Sequence, residues 1–313
     1  MGIRQQVARL ASLLAAVTVG AVAFAAPSAA EPVFPLLAGA NNPACVPSGG
    51  YEPVLLVHGS GTDAVRSFAA YAPALHAAGH CVFAVNLGRG PALIEAVSGQ
   101  AGSSAGAGPI GAALLGNTVW GVADIVEMAG GLGDAVQAVR DRTGAAKVAL
   151  VGHSTGGTVI RTYLREHGGA AVSSVVTLGS PYRGTTWAGL REIYPDLATL
   201  GLTEAQIAAQ VFGLPGRQQA VGSPLLNRLN AVGETVPGVR YTAIASRADT
   251  VITPPDTALL TTAEGGNRNI WLQDGCPGNT ADHGGLLGDE RAIALVVAAL
   301  TPEGESVPTL PCN

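Results

Sequence analysis

The chain has 313 residues, 48% hydrophobic and only 12% charged, with 43 glycines and a formal net charge of −5. Disorder needs low hydrophobicity with high net charge and is excluded. The glycines follow no G-X-Y period, which excludes collagen, and no basic stripe is available to grip phosphates, which argues against nucleic acid as a partner.

Residues 1–30 read as a secretory signal. Arg4 and Arg9 form a basic n-region, residues 10–26 are almost wholly apolar, and Ser28-Ala29-Ala30 offers small residues for cleavage. An uncleaved anchor is the alternative, but the apolar run is short of the roughly 20 residues a span needs. The expectation is a secreted mature chain, 31–313, with no stable membrane insertion and at most transient contact with a lipid interface. Four cysteines, Cys45, Cys81, Cys276 and Cys312, suggest two disulfides in such a chain. Three connectivities are open; the pairing of near neighbours, Cys45–Cys81 and Cys276–Cys312, is favoured. No C-x-x-C or Cys/His cluster has zinc spacing, so neither a metal nor another cofactor is expected.

Short apolar runs then alternate with helix-length segments, which predicts an α/β fold with a mostly parallel central sheet flanked by helices. Strands are expected at 54–57, 81–85, 147–151, 174–178, 239–245 and 269–272. Helices are expected at 63–78, 156–167 and 289–300. A helix over 117–142 should be broken or kinked by Gly130, Gly131 and Gly133. Residues 100–111 are a low-complexity Gly/Ala/Ser loop. The proline-punctuated tail from 302 should be loose unless Cys312 ties it down.

Residues 187–237 lie between two strands and carry no strand signal. Thr203-x-x-Gln206 is a capping box before an apolar run, and Gly213 and Pro215 supply the stop. An excursion after a strand's C-terminal end sits where ligands bind in such sheets, which predicts a small helical cap over the site. Its candidate lining is Trp187, Leu190, Ile193, Leu197, Ile207, Val211, Phe212 and Leu214. For any one of these, packing of the cap onto the body is the more usual role.

Two stretches match G-x-S-x-G: Gly152-His153-Ser154-Thr155-Gly156 and Gly102-Ser103-Ser104-Ala105-Gly106. In a nucleophile elbow the serine stands on a strained turn between a strand and a helix. Ser154 has that setting and Ser104 does not. A serine hydroxyl needs a base, and in this type of sheet the order is Ser, Asp or Glu, then His. His58, His76 and His80 precede Ser154, His153 adjoins it and His167 ends the following helix, which leaves His283 in the loop Asp282-His283-Gly284-Gly285. Asp249 follows a strand and precedes Val251-Ile252-Thr253-Pro254, so it is favoured to orient the imidazole over Asp256, Asp274 and Asp282. The N–H of Thr155 and that of Ser60, in His58-Gly59-Ser60, are the expected oxyanion donors, and the Ser60 hydroxyl could add a third.

Four segments, Val54 to Thr62, Val151 to Gly157, Ser246 to Pro254 and Asp282 to Gly285, together resemble the secreted bacterial class 2 lipases and the related lipase B type of α/β-hydrolase; the stretch from Leu229-Asn230 to Val239-Arg240-Tyr241 is similar to the bacterial branch. The resemblance runs from about Cys45 to the closing helix. It implies hydrolysis of triacylglycerols or other carboxylic esters without a metal, with an ester or lipid as the partner, and it favours the disulfide pairing above. Two departures stand out. Thr155 occupies a position where that family usually has glutamine, and the glycine-rich loop 88–116 is long. The same fold also admits an acyltransferase, or an inactive binding module. The intact serine, aspartate and histidine argue against the latter.

Overall fold

A computed structural model describes residues 32–90 and 119–312. The signal-like segment 1–30, Ser104 and most of the glycine-rich loop lie outside the described residues. Six strands, β1 (Val54–Val57), β2 (Val82–Val85), β3 (Val148–His153), β4 (Val172–Leu178), β5 (Arg240–Ala245) and β6 (Arg268–Trp271), pair all in parallel in the order β2-β1-β3-β4-β5-β6. The order reverses between β1 and β3, and a crevice opens beyond the strand ends at such a switch point. Around the sheet run α1 (Ala64–Phe68), α2 (Tyr71–Ala77), α3 (Ile125–Thr143), α4 (Thr155–His167), five short helices, α5 (Leu190–Ile193), α6 (Pro195–Thr199), α7 (Glu204–Phe212), α8 (Leu214–Gln218) and α9 (Pro224–Asn230), and the closing α10 (Glu290–Leu300).

β1, β2 and most of β3 are continuous apolar runs because both of their faces are covered. Leu55, Val57 and Leu150 enter one core with Leu132 and Val136 of α3 and Ile160 of α4. Val54, Leu56 and Val151 enter the other with Phe68, Tyr71 and Val296. Successive side chains thus go to opposite layers, as the period of two requires. Among the described residues no helix is long and apolar enough to cross a membrane.

The structure corrects two helix expectations. The helix expected over 63–78 is two, parted at Ala69-Ala70. Pro73 has no N–H to give the carbonyl of residue 69, and its ring crowds that carbonyl. Conversely, α3 starts at Ile125 behind the Asp124 cap and runs unbroken through Gly130, Gly131 and Gly133 to Gly144, whose φ is +69°. Tertiary packing outweighs propensity there. A Cβ on Gly133 would stand 3.4 Å from the Tyr163 ring, and one on Gly131 3.3 Å from Leu87, so the missing side chains let α3 lie close to its neighbours.

The segment 187–237 holds α5 to α9. Both halves of the capping box between Thr203 and Gln206 form, and Gly213 ends α7. Cys45 bonds Cys81 and Cys276 bonds Cys312. With Arg291 Nη1 donating to Pro311 O at 3.1 Å, the second bond fastens the tail beside the loop that carries His283.

Candidate active site

The turn after β3 is strained at its serine. Ser154 has φ +53° and ψ −124°, outside the regions an L-residue prefers, at a cost of about 1–3 kcal/mol. Surrounding contacts hold it there. Its N–H donates to Leu178 O at 2.9 Å and its carbonyl accepts from Gly157 N at 3.1 Å. Only glycine fits on either side, since a Cβ on Gly156 would come within 2.1 Å of Val57 O and one on Gly152 within 2.6 Å of Gly157 N. The strand and helix therefore close up behind the serine and leave its side chain partly exposed.

Beyond the end of β4, Gly179 abuts both Asp249 and His283: a Cβ there would stand 3.2 Å from Asp249 Oδ2 and 3.2 Å from His283 Nδ1. Those two atoms are themselves 2.8 Å apart. The other oxygen of Asp249 accepts from the N–H groups of Val251 and Ile252, each at 2.8 Å. Burial alone would raise this carboxyl's pKa. The neighbouring His283 and the two N–H donors outweigh burial and hold it below the usual carboxylate range. The anion requires Nδ1 of His283 to carry its proton toward Asp249, which leaves Nε2 for the crevice. The rival acids are engaged elsewhere: Asp256 with Arg183 at 3.2 Å, Asp274 with Arg247 at 3.2 Å, and Asp282 with the N–H of Gly285 at 2.7 Å.

His153 and His58 contribute in ways the sequence did not indicate. His153 Nε2 lies 3.0 Å from the carbonyl of His283, a contact that needs an N–H on Nε2, and the two rings sit 4.8 Å apart. The residue next to the serine thereby ties the elbow to the histidine loop. Burial, with the charge of His283, pushes the pKa of His153 down to about 3, so it is a neutral tether. His58 is buried at the end of β1. Its Nδ1 donates to Gly59 O at 2.8 Å and its Nε2 accepts from Leu87 N at 3.1 Å, which fixes the loop Gly59-Ser60. Burial lowers its pKa as well. Spacing alone had only eliminated both residues as bases.

Across the crevice, Ser60 Oγ lies 2.8 Å from Thr155 Oγ1, so the loop after β1 and the first turn of α4 are joined. Thr155 is the first residue of α4, where an N–H has no partner inside the helix. Among the described residues the Ser60 N–H also donates to nothing. A further residue enters from the insertion: Gln219 accepts from the Thr155 hydroxyl at 2.7 Å. No motif marks Gln219; it is one of two adjacent glutamines in a polar turn.

Leu225, Leu226 and Leu229 of α9 join a core of the sheet, while apolar residues of the segment 187–212 form a cluster of their own. Leu190 and Ile207 are wholly buried in it with Trp187, Leu197 and Val211, and Phe212 stacks on Trp187 at 5.1 Å between ring centres. Ile193 and Leu214 are exposed instead. Val251, two residues from Asp249, packs against this cluster and joins it to the acid's loop. Among the described residues no group of three or more His, Cys, Asp or Glu side chains could hold a metal ion.

Residues 52–225 match a family described as the alpha/beta hydrolase fold. Triacylglycerol lipases of Pseudarthrobacter phenanthrenivorans and Burkholderia plantarii are each 40% identical to this chain over 80 residues, 25% of its length. The match spans about a quarter of each relative, 25% and 22% respectively. Among solved structures, Aspergillus fumigatus lipase B superposes with a TM-score of 0.56 at 19% identity, covering 81% of this chain and 53% of that one. A Bacillus licheniformis lipase in mature form gives 0.55 at 16% identity, covering 83% and 96%. At such identities the likeness is one of fold.

Proposed function

The chain belongs to the alpha/beta hydrolase fold family, and from that premise we propose that it is a secreted serine carboxylic-ester hydrolase, a lipase acting on aliphatic acyl esters of the triacylglycerol type. The observation that carries this reading is the His283 Nδ1 to Asp249 Oδ2 hydrogen bond of 2.8 Å, formed beside the strained serine of the elbow. With Nδ1 committed, His283 Nε2 is the free base. It takes the proton of Ser154 as Oγ attacks the ester carbonyl, then returns it to the leaving alcohol. Asp249 stays ionised and stabilises the imidazolium. The N–H groups of Ser60 and Thr155 receive the oxyanion, the interaction that strengthens most as the carbonyl becomes tetrahedral. Water then repeats the sequence on the acyl-enzyme, with His283 as base and Ser154 as leaving group.

Aliphatic specificity rests on the apolar cluster of the insertion, in which Trp187, Val211 and Phe212 are the proposed acyl contacts and Leu190 and Ile207 the packing behind them. It also rests on the lipases that share the 80-residue match. Export rests on the two disulfides and the signal-like residues 1–30. The test is a p-nitrophenyl ester series of increasing chain length on wild type and Ser154→Ala, with fluorophosphonate labelling of the folded protein. Hydrolysis that depends on Ser154 and labelling at that residue are expected. Hydrolysis surviving Ser154→Ala would refute the assignment.

A further inference from the structure

The contact between Gln219 and Thr155 is one link in a directed chain. Gln219, Thr155 and Thr158 are each buried. The Gln219 amide nitrogen donates to Thr158 Oγ1 at 2.9 Å, which turns the amide oxygen toward Thr155. Thr155 has a single hydroxyl proton, and the amide oxygen, which can only accept, takes it at 2.7 Å. The 2.8 Å contact between Ser60 and Thr155 must then run from Ser60 Oγ–H to Thr155 Oγ1. So the Ser60 hydroxyl points at Thr155 rather than into the crevice. The backbone around Gln219 is equally tied: its N–H donates to Pro215 O at 2.9 Å and its carbonyl accepts from Thr185 N at 3.0 Å. The adjacent Gln218 accepts from Ile125 N at 3.0 Å and donates to Asp124 Oδ2 at 2.8 Å. Neither glutamine is free to turn.

We propose that Gln219, carried in by the insertion, is a positioning residue of the oxyanion site: through Thr155 and Ser60 it sets the spacing of the two backbone N–H donors, and the Ser60 hydroxyl serves as a brace rather than as a third donor. This rests on the ester-hydrolase reading above. A donor pair is effective only when pre-aimed at the place the oxyanion will occupy, and the two donors here belong to different strand-end loops. Backbone contacts of the separate loops hold each one individually. The hydroxyl–hydroxyl–amide chain connects them.

The experiment uses the full chain with p-nitrophenyl butyrate. Gln219→Met keeps the volume and loses the amide. Thr155→Val keeps the backbone N–H and the shape and loses the hydroxyl. Each is expected to lower kcat about tenfold with KM within about twofold, short of the roughly 10²–10³ for outright loss of an oxyanion donor. The double variant should be no worse than either single one, because both cut the same chain. Thr155→Ser should restore turnover to near the wild-type value. Gln218→Ala, which removes a contact of the same segment outside the chain, should lower the melting temperature without touching kcat. Wild-type kcat in Gln219→Met, or effects that multiply in the double variant, would overturn the proposal. Should Gln219→Met fail to fold, Thr155→Val against Thr155→Ser decides alone, and equal turnover in those two overturns it. Ser154→Ala run alongside keeps the two readings apart: activity persisting there removes the hydrolase assignment, whereas lost coupling with an inactive Ser154→Ala removes the relay only.

Discussion

The two sides of the crevice are held by different physics. On one side, Asp249 and His283 form a charge-assisted pair whose anion is further satisfied by two backbone N–H groups. On the other, Ser60, Thr155 and Gln219 form a neutral chain of hydroxyls and an amide. A buried ionised group that loses a partner is costly, whereas a neutral chain loses far less per link. In the mechanism proposed above, the charged side would govern whether turnover occurs at all, and the neutral side would adjust how well the transition state is met. The charged side is also built entirely from loops of the sheet body, while the neutral side reaches into the insertion.

That contrast can be broken in graded ways. Ser154→Ala, which removes the group both sides serve, is expected to lower kcat by about 10⁶, read by burst-free residual hydrolysis of a p-nitrophenyl ester. Asp249→Asn should cost about 10⁴, because an amide no longer fixes the imidazole tautomer. A loss no larger than that of Gln219→Met would erase the distinction between the sides. Removing the Cys276–Cys312 bond by double serine substitution opens a loop of sequence separation 36, worth about 4 kcal/mol of stability in the chain-entropy model. It should also lower kcat, since Cys276 lies in the loop of His283. The Cys45–Cys81 bond spans the same separation near β2, and its removal should lower the urea midpoint alone.

A separate effect is expected in pH. Unfolded histidines take up a proton below about pH 6.5, while folded His153 stays neutral to about 3 and His58 is lowered in the same sense. Between those limits the unfolded chain binds more protons. Stability should therefore fall with falling pH, by about 1.4 kcal/mol per unit for His153, and the lowered His58 acts in the same direction. Asp249, held low, adds its loss only below the usual carboxylate range. Urea midpoints from pH 7 to pH 4 read the slope, and His153→Gln, which has no group titrating there, should flatten it by one site's share. An unchanged slope would mean that the tether between the elbow and the histidine loop is not a buried neutral imidazole.

Legibility in the sequence followed the same division. The strand run into Gly152-His153-Ser154 and the histidine loop behind the last strand are read from short local patterns, and Ser154 and His283 stand in those settings. Asp249 was separable from Asp256, Asp274 and Asp282 because position after a strand and proline restraint are local properties. The split at Ala69-Ala70 is equally local, since Pro73 signals it. Long-range packing overrode the rest: Gly130, Gly131 and Gly133 sit within a continuous helix because Leu87 and Tyr163 lie beside it, and Leu190 and Ile207 fill the interior of the insertion.

What the sequence determined by itself was the parallel α/β architecture, the elbow pattern and the order of the candidate residues along the chain. Alternation, glycine spacing and strand-end position are written in consecutive residues. Which donor meets which acceptor across the crevice was decided only in three dimensions. His153 reaches His283 across 130 residues and Gln219 reaches Thr155 across 64. Such contacts depend on how separate elements converge, and no periodicity along the chain records the meeting of two buried polar groups.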